Sequence, residues 1–340
     1  MRAQGLYFIL FVFLLYSCKT ELDLPQNFKE KQLVINGILF QDSVPKIEVV
    51  SSKVLGENPN SKSYIMDASV TLFSDNAPEE TLHYEEFIEE SRYENEDDKI
   101  SYKYTGKKTN GNVFQLSVSA PNFTSVVCQT EMPSKCNFEI KDTTWEIQND
   151  EMYGGYSFYG AMNVNILLED NPDEKNYYFV TACGPTETTY IFDSLTGNVK
   201  HIKDYIFTEL YIQSSDPIFS ENTLNTDMDF GNMQYGFYFN DLNFNGLTKQ
   251  FIFNLDCSIL ARAFMDEFEY PEFDIKFKIW KINEALYLYF KTLNIQEIAK
   301  MNPFSEPASV YSNSSNGFGI LGAANVTERI IHVTPPKKSK

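Results

Sequence analysis

The chain opens on an unbroken apolar run, Leu6–Ser17, and beyond it apolar and polar residues alternate in short segments. Alternation with period two reads as half-buried strand. Leu33, Ile35, Gly37 and Leu39 alternate with Val34, Asn36 and Ile38, and Ile47–Val50 follows the turn-like Gln41–Pro45. Ala68–Phe73 closes at Ser74-Asp75-Asn76, and Leu82–Ile88 and Ile100–Tyr104 bracket an acidic insertion, Glu94–Asp98. Val113–Val118 ends at Ala120-Pro121-Asn122, and Ser125–Glu131 adds one more strand. Short strands at regular spacing, with turn chemistry between them, predict an immunoglobulin-like β-sandwich over residues 31–133. Met132-Pro133-Ser134 bounds it.

A second β-rich domain is expected over residues 137–334. Phe138–Ile140, Thr144–Ile147, Met162–Leu168 and Tyr177–Ala182 read as strands. Ile191–Ile202 reads as a hairpin with Thr196-Gly197-Asn198 at its turn. Phe237–Asp241, Gln250–Leu255, Asp274–Trp280, Ile320–Val326 and Ile330–Val333 continue the strand pattern. Over Ile282–Lys300 the period changes: Leu286, Tyr289, Phe290 and Leu293 fall at helical spacing, which predicts one helix there. The fold class is therefore mainly β with a single helix. Residues 335–340 read as a disordered tail.

Composition sharpens this picture. Hydrophobic residues make up 43% and aromatics 15%, with 21 Tyr and 28 Phe, so each expected domain can bury a core of strand-favouring residues. The formal charge of −19 argues against nucleic acid and against anionic lipid heads, both of which need Lys and Arg surfaces. No second long apolar stretch follows the first, so nothing after it reads as a spanning helix.

Leu6–Ser17 has the length of a signal-peptide h-region. Leu15-Tyr16-Ser17-Cys18 resembles a bacterial lipobox, with the signal in residues 1–17 and Cys18 acylated. Each buried CH₂ contributes about 0.8 kcal/mol, so several long chains (palmitate and its like) anchor a protein stably. Residues 18–30 then read as a lipidated tether, polar and without periodicity. With Cys18 set aside, Cys128, Cys136, Cys183 and Cys257 remain. Cys128 and Cys136 are close enough in sequence to bridge; the alternative is four buried free thiols.

Catalytic constellations are sparse. His83, His201 and His332 each stand alone in strand-like surroundings, and neither a Gly-x-Ser-x-Gly elbow nor a phosphate-cradling glycine loop occurs. No metal site or cofactor is expected. Asp241-x-Asn243-x-Asn245-Gly246 matches half a calcium loop, but Ile252 stands where a bidentate Glu is needed, and a turn is the better reading. Tyr153, Tyr156 and Tyr159, interleaved with glycines, read as packing residues more than as an exposed sugar platform.

The ordered set of motifs carries a resemblance. It comprises the lipobox with Glu21-Leu22-Asp23-Leu24-Pro25, then Leu33–Leu39, Ala68–Leu72 and Phe114–Pro121. Asp241–Gly246, Asn302–Pro307, Val310–Asn313 and Asn316–Gly322 complete it. It resembles a Bacteroidota lipoprotein family of unknown function, often encoded beside TonB-dependent outer-membrane receptors. The resemblance implies an immunoglobulin-like sandwich followed by a second β-rich domain, in an outer-leaflet protein that serves a β-barrel. Such a family has no agreed catalytic residues to carry over. Glu21 and Asp23 resemble its surface-export signal. Ser43, Thr143 and Ser194 fit the Asp-Ser/Thr-apolar pattern for O-glycosylation in these bacteria.

The expectation is a non-enzymatic, lipid-anchored outer-membrane protein exposed at the cell surface. Its partner would be a β-barrel, either a TonB-dependent transporter or part of the outer-membrane protein assembly and export machinery. A glycan- or peptide-capturing surface protein is the alternative, and a hydrolase with a carboxylate pair is a third.

Overall fold

In a computed structural model of the chain, the described residues are 30–54, 57–58, 61–89, 99–149, 158–193, 198–219, 223–225, 235–257, 273–301, 306 and 308–334. The signal, Cys18, Glu21 and Asp23 lie outside them, as do the 94–98 insertion and residues 335–340.

The first seven strands are β1 Leu33–Phe40, β2 Lys46–Ser51, β3 Ser69–Ser74, β4 Ala77–Glu89, β5 Lys99–Thr105, β6 Val113–Ser119 and β7 Val126–Glu131. Then come β8 Asn137–Asn149, β9 Phe158–Glu169, β10 Tyr177–Asp193, β11 Asn198–Glu209, β12 Ile212–Gln213 and β13 Thr223–Asn225. β14 Tyr235–Asn240, β15 Thr248–Asp256, β16 Phe273–Ile282, β17 Ser314–Ser315 and β18 Phe318–Val333 complete the strands. One α-helix, α1 Glu284–Met301, stands where the helical period predicts it. The protein is mainly β and sandwich-like, as the alternation implies.

Strands β1 to β7 form the N-terminal body. Their inward faces alternate as the sequence does: β6 buries Phe114, Leu116 and Val118 and exposes or half-exposes the residues between. Strand β4 serves two partners. Its first half pairs with β3, up to Val70–Leu82, and from His83 it pairs with β5. One long strand thus turns the corner between the two faces of the body, a device used by packed sheets.

The last strand closes that body. β18 pairs in parallel with β1, from Val34–Phe318 to Phe40–Ala324, while β17 pairs with β7. The Asn316-Gly317 turn joins β17 to β18, with Asn316 in the left-handed region at φ 59°. Asn-Gly is the dipeptide such a turn favours. Leu321 and Ala323 complete the core that Leu33, Ile35, Val49, Val70 and Leu116 begin. The region expected as a second domain, 137–334, therefore supplies a wall of the first.

From Ala324 onward β18 changes partner. It pairs antiparallel with β16 as far as Phe273–Val333. Strands β13, β14, β10, β16 and β18 make one sheet of a second sandwich, and β12, β15, β9 and β8 make the other. Between them lies a core dense in phenylalanine: Phe219, Phe239, Phe251, Phe253 and Phe277 are all nearly inaccessible. Burying each such ring stabilises the fold by roughly 1.5–3 kcal/mol. Two expected features merge into longer elements. Phe138–Ile140 and Thr144–Ile147 are one strand, β8, with a register shift between Ile140 and Asp142. The hairpin at 191–202 extends a strand that starts at Tyr177, with Asp193 opposite Asn198.

Helix α1 covers the junction between the two cores. Leu286, Tyr289, Phe290 and Leu293 pack on Phe179, Trp280, Ile320 and Ala324, with Ile38 from β1. This explains why the middle of β18 is buried on both faces, Ile320 and Ala324 against the helix and Leu321 and Ala323 against the body. Gly322 sits beneath the helix, where a Cβ would come to 3.0 Å from the Leu286 side chain. Gly319 has φ of 94°, and a Cβ there would meet the Ile35 carbonyl at 2.0 Å. Only glycine fits that approach.

Asn283 caps the helix and ties three elements. Its Oδ1 accepts the Leu286 N–H at 3.2 Å and the Ala323 N–H at 3.3 Å, and its Nδ2 donates to Thr130 Oγ1 at 2.7 Å. Asn313 does the same at the seam between β7 and β18. Its amide donates to the carbonyls of Gln129 and Leu321, both at 2.9 Å, and its oxygen accepts the Leu321 N–H at 3.0 Å.

Two outcomes follow. Asn283→Ala should lower unfolding stability by about 1–3 kcal/mol through the lost cap and the unpaired Thr130 hydroxyl, measured by denaturant titration. Deleting residues 310–340 should leave the 31–133 body open as well. Limited proteolysis should then cut β1 and β2 along with the second sandwich, whereas an independent first domain would survive as a protected fragment.

Candidate functional site

The chain enters β1 beside two tight turns. One is Ala120–Phe123, closed by the Phe123 N–H donating to the Ala120 carbonyl at 3.2 Å, with Asn122 at φ 65°. The other is the Asn316-Gly317 turn. Pro121-Asn122 and Asn316-Gly317 supply the turn chemistry that left-handed positions require. Between the turns and residues 30–32 opens a cavity of about 350 Å³, lined by Glu30, Lys31, Gln32, Asn122, Phe123, Thr124 and Asn316. Its one cation is already engaged: Lys31 Nζ lies 2.8 Å from Glu57. That ion pair, with a hydrogen bond from the Val54 N–H, holds the Glu57 carboxyl below its ordinary value. Phe123 is half-buried and packs against the body's core. The side chains of Gln32, Asn122, Thr124 and Asn316 have no hydrogen-bond partner among the described residues.

A tyrosine cluster lies in the same body. Tyr84 and Tyr102 stack at 5.5 Å, and Tyr64 meets Tyr102 edge-on at 5.0 Å. Tyr104 is fixed beneath them, donating to the Ile65 carbonyl at 2.8 Å and accepting the Ala68 N–H at 3.0 Å. The rings spend their faces on one another, so the cluster is packing more than platform. Burial, with the Tyr102 and Tyr104 rings beside it, pushes the Tyr84 phenol up to about 12.

Where the two cores meet, a nearly inaccessible Lys281 reaches Ser134 Oγ at 2.7 Å and Glu174 Oε1 at 2.5 Å. Partial burial pushes the Glu174 carboxyl up, but the hydrogen bonds from Lys281 and Ser134 outweigh it, and Glu174 titrates below its ordinary value. The trio pins residues 132–136 between the bodies. It resembles a structural ion pair more than a reacting group.

The residues singled out from sequence do not converge. His83 lies 2.9 Å from Glu85 and His332 2.7 Å from Asp274, both exposed, and neither ring contacts a hydroxyl or thiol among the described residues. The side chain of His201 lies outside the described residues. Residues 241–247 form turns, as expected. Asp241 Oδ2 accepts the Asn176 N–H at 2.7 Å, and Gly246 donates to Asp170 Oδ2 at 2.8 Å, so both carboxylates brace the loop.

The bridge considered between Cys128 and Cys136 is not formed: all four described cysteines are free and buried. Cys128 belongs to the N-terminal core, with its Sγ 3.1 Å from Ser314 Oγ, and Cys136 belongs to the other core, its thiol reaching the Ile279 carbonyl. Burial pushes both thiols up, which keeps them protonated and inert. Ser43 lies in the turn after β1, and Thr143 is exposed on the edge strand β8. Ser194, Tyr153, Tyr156 and the Tyr159 side chain lie outside the described residues.

Sequence reading missed the cavity because its walls come from three segments, near residues 31, 123 and 316. The turn signals Pro121-Asn122 and Asn316-Gly317 were visible, and only their meeting was not. A family model described as a domain of unknown function (DUF4249) matches residues 19–330. No curated protein matches the chain.

The tyrosine cluster generates a pH prediction. A phenol whose folded value is raised stabilises the fold fully below its unfolded value of 10.0, and that contribution fades between pH 10.0 and about 12. Unfolding stability should therefore drop over that interval, and Tyr84→Phe should flatten the drop. An unchanged alkaline slope in the variant would show that the phenol titrates freely.

Proposed function

The chain belongs to the DUF4249 family, and we propose that it is a non-enzymatic, lipid-anchored outer-membrane protein that serves a β-barrel partner at the cell surface. The observation that carries the reading is the Leu15-Tyr16-Ser17-Cys18 lipobox set directly ahead of a polar tether. From Cys18 to Leu33 an extended chain reaches at most about 50 Å, so the acyl chains hold the first body close to the membrane. The turns at Asn122 and Asn316 stand at the tether's entry. The second sandwich is carried away from it along β18. Such a body suits a subunit that stands beside a barrel and extends above it.

The partner is a barrel of Bacteroidota type, a TonB-dependent transporter or a member of the assembly and export machinery. Glu21 and Asp23 are the export signal in this reading, and the acidic surface keeps the exposed protein hydrated. The cavity near Asn122 and Asn316 supports the glycan-capturing alternative.

Palmitate labelling should mark the wild-type chain and not Cys18→Ala. A tagged pull-down from gently solubilised outer membranes should recover one barrel protein in stoichiometric amount, its identity deciding between transport and assembly. Label retained in Cys18→Ala, or the lipoprotein recovered alone, would overturn the reading.

A further inference from the structure

We propose that the cavity between residues 30–32, Asn122–Thr124 and the Asn316 turn is a sugar site that takes one pyranose ring. The proposal goes beyond the accessory role and does not depend on it. The cavity, at about 350 Å³, is of the size that holds one small ligand. Its chemistry selects the class. Gln32, Asn122 and Asn316 bring carboxamides, each with both donors and acceptors, and Thr124 brings a hydroxyl. None of these side chains is bonded to another described residue, and Asn122, Thr124 and Asn316 are exposed, so four polar residues line one cavity and can exchange water for a ligand. A ring of hydroxyls is the ligand that uses mixed donors and acceptors in this way.

Phe123 supplies the remaining requirement. A pyranose has one face of C–H groups, and an aromatic ring is the surface on which that face packs. Phe123 is half-buried and braced by the core behind it. Other ligands fit less well. A phosphate needs uncompensated cations, and Lys31 is paired with Glu57 at 2.8 Å. An acyl chain finds one apolar ring among six polar residues. The sugar could be free or borne on a membrane glycolipid, since the site stands where the tether enters the body.

Asn122→Gly with Asn316→Gly removes two amides and keeps the fold, because glycine adopts φ of 65° and 59° without strain. Saturation-transfer NMR on the detergent-solubilised full chain would use methyl α-mannoside, methyl β-galactoside and N-acetylglucosamine as probes. At least one should receive transfer, and the double variant should bind it at least about tenfold more weakly at an unchanged melting temperature. Should the double variant melt early, Thr124→Ala, an exposed side chain, gives the same readout with a smaller loss. Capture of the Cys18→Ser chain by vesicles bearing that sugar on a glycolipid, and not by phosphatidylethanolamine vesicles, identifies a membrane source. Glycoside binding without vesicle capture identifies a soluble one. Transfer to none of the three probes, or equal binding by wild type and variants, overturns the proposal.

Discussion

The pairing of β1 with β18 is the constraint on which the rest of the structure depends. Val34 meets Phe318, so nearly the whole chain lies between two hydrogen-bonded neighbours. The pairing is parallel, which a hairpin cannot produce, and it must wait for everything in between. Such non-local contact carries a closure cost before it returns any stabilisation, and it slows folding. What offsets the cost is concentrated on one strand. β18 completes the first core with Leu321 and Ala323, holds the helix with Ile320 and Ala324, and builds the second core with Ile331 and Val333. This one strand of sixteen residues faces three packed clusters.

Side chains of asparagine make this convergence possible. Where β7, β18 and α1 meet, main-chain groups cannot all pair with one another. Asn283 and Asn313 act as extra peptide groups, each donating and accepting where a strand or helix leaves a gap. Asn176 works by donation alone, its Nδ2 reaching the Asn171 and Glu174 carbonyls and Asp241 Oδ2. The closing Val310–Asn313 and Asn316–Gly322 motifs of the family resemblance therefore have a structural account. Asn313 bridges a seam, Gly319 admits a neighbouring carbonyl, and Gly322 admits the helix. A motif of this kind marks how the fold closes.

Local physics was legible in the sequence, and long-range physics was not. Alternation located β6 and β7 because each has one wet and one dry face. The shift to helical spacing at Leu286, Tyr289, Phe290 and Leu293 located α1 because those four side chains pack together on the joint between the cores. The same alternation broke β18 into Ile320–Val326 and Ile330–Val333, because the residues between them are exposed and polar while still paired to β16. A boundary at Met132-Pro133-Ser134 does separate two cores along the chain, with Met132 packing on one and Cys136 on the other. No local signal says that the chain returns to the first core after Ala308. The same blindness let Cys128 and Cys136 be read as bridging neighbours, although eight positions of chain carry them into different cores. The cavity escaped notice because its three walls are remote in sequence and individually look like ordinary turns.

The junction between the bodies is continuous structure and not a linker. Two units joined by a short segment ordinarily move against one another unless a large interface prevents it. Here β18 runs unbroken through both, and the 132–136 connection is fastened to it. Asn325 donates to the Pro133 carbonyl at 3.3 Å, and Thr327 donates to the Cys136 carbonyl at 2.8 Å. Lys281 holds Ser134 and Glu174 from the next strand, and α1 lies across the same joint. A bend there would break ladder hydrogen bonds, expose Trp280 and Ile320, and strand a buried ammonium. Each of these carries a cost of a few kcal/mol, so bending is disfavoured even when other parts of the surface move. The second sandwich is thus held at a fixed offset from residue 30 by β18, the 132–136 connection and α1 together.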